Sequence, residues 1–145
     1  MKTIVVGVDG SPSSQAAVEF GAREAAAHGA TLRIVTAWEV PATVLSSSGA
    51  TPEIYLSFED EARRIVSDAA ARVKELEPTV SLEERVVEGH AGNALIDEAQ
   101  SADLVVIGRR GHGALAELLL GSTSHQVVDH AKCPVVIVPP ASAGE

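Results

Sequence analysis

The sequence predicts an α/β fold with a parallel sheet packed between helices, and three observations predict it. Short apolar runs alternate with stretches of helical spacing along all 145 residues. Runs such as Ala102-Asp-Leu-Val-Val-Ile-Gly108, bounded by turn signals, have the pattern of strands buried on both faces. The chain is 46% hydrophobic but only 3% aromatic, so its interior must be made of Ala, Val, Leu and Ile.

The first strand is expected over Thr3 to Val8. Ser11 can cap the helix that follows, and Pro12 at its first position gives up no needed N–H. That helix runs to His28, where Gly29 ends it. A second strand spans Thr31 to Trp38. From Glu39 to Tyr55, around Ser46-Ser-Ser-Gly49, no periodicity is visible, and the segment reads either as a flap beside a site or as a spacer. Phe58, Ala62, Ile65, Val66, Ala69 and Val73 give Ser57 to Leu76 one apolar face, with Glu and Arg on the other. Next come a strand over Leu82 to Glu88, a helix over Ala91 to Ser101 and a strand over Ala102 to Gly108. A short helical turn is expected near Ala114 to Leu120, then a helix over Ser122 to Ala131 and a last strand over Pro134 to Val138. Alternating strands and helices give right-handed crossovers. The length suits one domain, residues 1–140, followed by a small polar disordered tail, 141–145.

A formal charge of −9 argues against nucleic-acid or membrane-surface binding, which relies on clustered Lys and Arg. The N-terminal apolar stretch is broken by Asp9 and is too short for a signal segment or membrane span. Cys133 is the only cysteine, so no intrachain disulfide can form; packing is its expected role, and a cytoplasmic location the economical one.

The chemistry concentrates at the end of the fourth strand. Gly108-Arg-Arg-Gly111 is followed by nine residues and then Gly121-Ser122-Thr123-Ser124. Glycines beyond a strand's carboxyl end let backbone N–H groups approach an anion, and a helix N-terminus attracts phosphate through unpaired donors. Taken singly, each glycine could instead serve a turn. Asp9, ending the first strand, is a carboxylate that in a buried setting needs a partner or cation, or else simply caps the Gly10-Ser11 turn. Arg109 and Arg110 could reach a phosphate or lie on the surface. His112 and His125 flank the glycines without an evident carboxylate to orient them, and no His spacing suggests a metal site. Gly-Lys-Ser/Thr, Gly-x-Gly-x-x-Gly and Gly-x-Ser-x-Gly are all absent.

This glycine spacing resembles the ATP-binding pattern of the universal stress protein family, Gly-x2-Gly-x9-Gly followed by Ser or Thr. Ile4-Val-Val-Gly-Val-Asp9-Gly-Ser11, Leu118-Leu-Leu-Gly-Ser122 and Cys133-Pro-Val-Val-Ile-Val-Pro139 extend the likeness over nearly the whole chain. The resemblance implies an open, five-stranded, Rossmann-like sheet of order 3-2-1-4-5 with helices on both faces. It implies ATP as ligand, with Gly108, Gly111, Gly121, Ser122 and Thr123 at phosphate and ribose, Ala37 against the adenine, and Asp9 touching the nucleotide and helping to hold Mg2+. Gly113 is not required by the pattern, and Trp38 reads as core before it reads as a stacking platform. Arg109 departs from the family, which often has a small hydroxyl residue there. A homodimer through Pro134 to Val138 is implied too. The expected function is a nucleotide-dependent stress-response binding module. The alternatives are a slow Mg-dependent ATPase with water activated by His112 or His125, and a dimerisation module with a vacant pocket.

Overall fold

The computed structural model describes residues 1–49, 51–109 and 121–140. Its elements, in chain order, are β1 (Thr3–Gly7), α1 (Pro12–His28), β2 (Thr31–Trp38), α2 (Ala42–Ser48), α3 (Pro52–Leu76), β3 (Leu82–Glu88), α4 (Ala91–Ala99), β4 (Leu104–Gly108), α5 (Ser122–His130) and β5 (Val135–Val138). All strand pairs are parallel, in the order β3-β2-β1-β4-β5, as the resemblance implied. The order reverses between β1 and β4, so Asp9 and the end of β4 lie side by side where the loops diverge.

Alternation along the central strands sorts the core into two layers. Ile4, Val6, Leu32, Ile34, Leu104 and Val106 face α1 and α3, meeting Ala17, Val18, Ala22, Val66 and Val73. Val5, Val35, Val105 and Ile107 face α4 and α5, meeting Leu95, Ala99 and Val127. Burying each such Val, Leu or Ile contributes about 1.5–3 kcal/mol. Small residues bring the helices close: on α1, Gly21 lies where a Cβ would meet Leu32 Cδ1 at 3.2 Å. Half-buried Cys133 packs at the margin of the second layer, where burial and then the Asp103 carboxylate push its thiol above the usual range.

The local signals act as the sequence suggests. Ser11 Oγ accepts the Ser14 N–H at 3.2 Å, Pro12 opens α1, and Gly29 closes it with φ 62° while donating to Ala25 and Ala26 carbonyls. β4 begins at Leu104 rather than Ala102, because Asp103 is used otherwise: its carboxylate accepts the N–H groups of Lys2 (2.7 Å) and Thr3 (3.0 Å).

The expectation for Glu39 to Tyr55 needs correction. It holds the seven-residue α2, and α3 starts at Pro52, five residues before the expected Ser57. Thr51 Oγ1 accepts the Ile54 N–H at 3.3 Å with Pro52 at the first helical position, the same start chemistry as Ser11-Pro12. In α2 the Ser46 and Ser47 hydroxyls turn back onto the Thr43 carbonyl at 3.2 and 2.9 Å, and Gly49 ends the helix at φ 75°. Trp38 is half-buried and meets Tyr55 edge-on, with centroids 6.4 Å apart. The turn expected at 114–120 and the tail at 141–145 lie outside the described residues.

Candidate functional site

A cavity of about 420 Å³ opens at the carboxyl end of the sheet, over the β1/β4 reversal. Its floor comes from Gly7 at the end of β1, Val8 just beyond it, and Ile107 and Gly108 of β4, with Val35 and Ala37 of β2 also in the lining. Ser11 and Ser14 of the first α1 turn, Ala91, Ala94 and Leu95 of α4, and Gly121 to Ser124 at the start of α5 complete the wall.

Each element arrives there for a local reason. The Thr36 hydroxyl donates to the Val8 carbonyl at 2.8 Å, and the Val8 N–H donates to Val35 O at 2.9 Å, fixing the ends of β1 and β2 together. Leu95 can lie on the floor because Gly7 has no side chain: a Cβ there would stand 2.8 Å from Leu95 Cδ1. The chain between β4 and α5 is drawn in by backbone bonds, Arg109 N–H to Val138 O (2.8 Å) and Gly121 N–H to Arg109 O (3.0 Å). Ser124 is buried and its hydroxyl donates to Gly108 O at 2.8 Å, pinning the first turn of α5 to the end of β4.

Three helix N-termini, those of α1, α4 and α5, border one cavity. The α1 end is capped internally by Ser11, whereas Gly121 before α5 and His90 before α4 provide no side-chain cap. First-turn N–H groups in α5 are therefore left for water or a ligand, and the dipole favours an anion. Ser122 and Thr123 add hydroxyls at the same end. Among the described lining residues Asp9 alone carries a charge. A phosphate here would meet backbone donors and hydroxyls, and a cation would have to be shared between Asp9 and the ligand itself. Among the described residues no cluster of three or more His, Cys, Asp or Glu is arranged for a metal.

Of the residues expected from sequence, Asp9, Ala37, Gly108, Gly121, Ser122 and Thr123 are brought together in the lining. Asp9 differs from the expectation in one respect, since it is exposed rather than buried. Its Oδ1 accepts the Ser11 N–H at 2.9 Å and its own N–H donates to Ser14 Oγ at 3.3 Å, so it caps the turn while its carboxylate faces the cavity mouth. Arg109 is absent from the described lining, its backbone alone tying the site together. Gly111, with Arg110, His112 and Gly113, lies outside the described residues. His125 is exposed on α5, and neither it nor Trp38 lines the cavity.

The glycines divide by cause. Neither Gly108 nor Gly121 has positive φ, so neither is there for a left-handed turn. Gly108 is required by packing, because a Cβ would stand 2.8 Å from the Ser13 carbonyl carbon of α1. Gly121 has φ −68° and ψ 160°, a conformation open to any residue, and its place on the cavity wall is what a side chain would change.

Ser11, Ser14, Val35, Ala91, Ala94 and Leu95 were not among the expected site residues. Ser11 announces only a helix cap, and the α4 residues look like helix filler. Their membership comes from α4 crossing back over β2 and β1 between β3 and β4.

A model of the "Universal stress protein family" matches residues 1–139. A universal stress protein from Mycolicibacterium smegmatis is 39% identical over 145 residues, covering 93% of this chain and 47% of that one. The chain thus spans about half the length of the curated relatives it matches. Among solved structures, a universal stress protein in complex with cAMP is 34% identical, covers 97% of this chain and 98% of the other, and superposes with a TM-score of 0.72. UspA from Lactobacillus plantarum is 26% identical, covering 94% and 97%, with a TM-score of 0.76.

Proposed function

The chain belongs to the universal stress protein family, and from that premise we propose that it is an adenine-nucleotide-binding module whose occupancy, rather than turnover, carries a stress-response signal. The observation that carries this reading is the cavity itself. At the strand reversal its lining combines apolar residues, Val35, Ala37, Ala91, Ala94 and Leu95, which suit a flat base, with polar ones, Ser11, Ser14 and Gly121 to Thr123, which suit phosphate. The 34%-identical structure bound to cAMP supports the ligand class.

The finer reading is ATP with Mg2+. Ala37 lies toward the base, Gly108, Gly121, Ser122 and Thr123 toward ribose and phosphates, and Asp9, the lone described charge, toward the cation. Of the two histidines proposed to activate water, His125 lies away from the lining and His112 lies outside the described residues. The test is to denature the purified protein, identify released nucleotides by mass spectrometry, and titrate the emptied protein with ATP and Mg2+, AMP and cAMP. Gly121→Val should weaken binding about tenfold or more, or ~1.4 kcal/mol. Failure of the wild type to bind any of the three at millimolar concentration would sink the proposal.

Partnering follows from the sheet edges. β5 ends the sheet with Val135 to Val138, all half-exposed and apolar, whereas the opposite edge, β3, carries Glu83, Glu84, Arg85 and Glu88. An apolar edge invites pairing with its copy, and a charged one resists it. We infer a homodimer through β5, in which Val136→Glu yields monomers by light scattering; a variant that stays dimeric would remove this interface.

A further inference from the structure

We propose that Arg33 is a positioning residue for the nucleotide cleft: through its ion pair with Glu98 it fixes where α4 lies along the sheet, and hence where Ala91, Ala94 and Leu95 stand against the ligand. The inference rests on the reading of the cleft given above.

Arg33 lies in β2 at 8% exposure, an unusual place for a guanidinium. Nη1 donates to Glu98 Oε2 at 2.9 Å and to Ser101 Oγ at 3.2 Å, and Nη2 to Glu83 Oε1 at 3.4 Å. Its Nε is buried with no partner. Because strand side chains alternate, Arg33, Val35 and Ala37 lie in one row on the face that α4 covers, and the last two line the cleft. Along α4 a matching row runs from Glu98 through Leu95 and Ala94 to Ala91, about 10 Å at 1.5 Å per residue. The ion pair thus holds one end of α4, and the cleft wall is the other end.

The remaining contact of α4 with the sheet runs through small residues and through Leu95, seated where Gly7 has no side chain. The buried side of α4 is Gly92, Ala94, Leu95 and Ala99, so Leu95 is the single large side chain there. At the upper end an exposed bond from Gln126 Nε2 to Asn93 Oδ1, 2.7 Å, ties α4 to α5, which would move with it. A buried ion pair seldom adds stability over an apolar pair of the same size, but its directional bonds admit one arrangement.

The test is the double variant Arg33→Met/Glu98→Leu, which keeps the bulk and removes the direction. Its urea midpoint should equal or exceed that of the wild type, while AMP affinity by calorimetry falls about tenfold and the ligand-free amide resonances of residues 91–95 shift. A variant that binds AMP like the wild type with those resonances unmoved overturns the proposal. If the double variant does not fold, Glu98→Gln, with the same volume, is read by the same two measurements and the same criteria. If wild-type protein binds no AMP, the nucleotide reading fails separately, and the ligand-free resonances still decide whether Arg33 sets the place of α4.

Discussion

At the amino end of its parallel sheet the protein ties its polar groups to one another, and at the carboxyl end it leaves several of them facing a cavity. At the closed end Asp103 takes up the N–H groups of Lys2 and Thr3, and Arg33 is held by Glu98, Ser101 and Glu83. At the open end α5 starts on a glycine without a side-chain cap, and Ser122, Thr123 and the Asp9 carboxylate line a space of about 420 Å³. The same backbone chemistry operates at both ends, because every strand and helix terminus has unpaired groups. What differs is whether the chain itself supplies the partner, and that difference marks the end available for ligand.

The sharpest challenge to this contrast lies within the open end. Gly108 sits on the cavity wall but is filled from behind, since a Cβ there would meet Ser13 Cβ at 2.6 Å and its carbonyl carbon at 2.8 Å. Backbone cannot move aside as a flexible side-chain tip can. Gly108→Ala should therefore lower stability by about 2–3 kcal/mol, read as a reduced urea midpoint, whereas Gly121→Val, at the N-cap of α5, should cost about 1 kcal/mol or less and act chiefly on binding. Equal effects of the two substitutions on stability would erase the distinction between space kept for packing and space kept for ligand.

Ser124→Ala comes next in size. Its hydroxyl is buried and donates to Gly108 O, so removing it leaves a carbonyl short of a partner at the joint between β4 and α5. The expected cost is about 1 kcal/mol, with weaker nucleotide binding in the same variant because the first turn of α5 is loosened. A variant with full stability and full affinity would show that Gly121 N–H to Arg109 O alone sets that turn.

Much of this was legible in the residues. Ser11-Pro12 and His28-Gly29 delimit α1 to the residue, and β2 and β3 span the residues expected of them. α2 was not legible, because Pro41 offers no side-chain cap and Ala42 to Ser48 lacks an apolar stripe. The start of α3 was written as Thr51-Pro52, yet the strong stripe from Phe58 onward drew the boundary downstream. For the cavity, residues adjacent to strand ends could be placed from sequence, since topology brings those ends together. Ala91, Ala94 and Leu95 could not, because their presence depends on a crossover over two strands, and their side chains carry no chemistry to announce it.

The smallest effect belongs to the closed end and is one of pH. The backbone N–H of Thr3, then that of Lys2, stabilise the ionised Asp103 carboxylate and hold it below the usual carboxylate range. A carboxyl group whose folded pKa is depressed contributes stability above its unfolded value, about 3.9, and loses that contribution as pH falls through the folded value. In the wild type one oxygen, Oδ2, accepts both N–H groups, so Asp103→Asn keeps an oxygen that can accept both but has no charge to titrate. The wild type should thus be the more stable protein at neutral pH, with the gap closing in urea titrations as acid is added below about pH 4. A gap that stays constant into acid would mean that the two N–H groups are satisfied as well by a neutral amide, and that the closed end is held by hydrogen-bond geometry rather than charge.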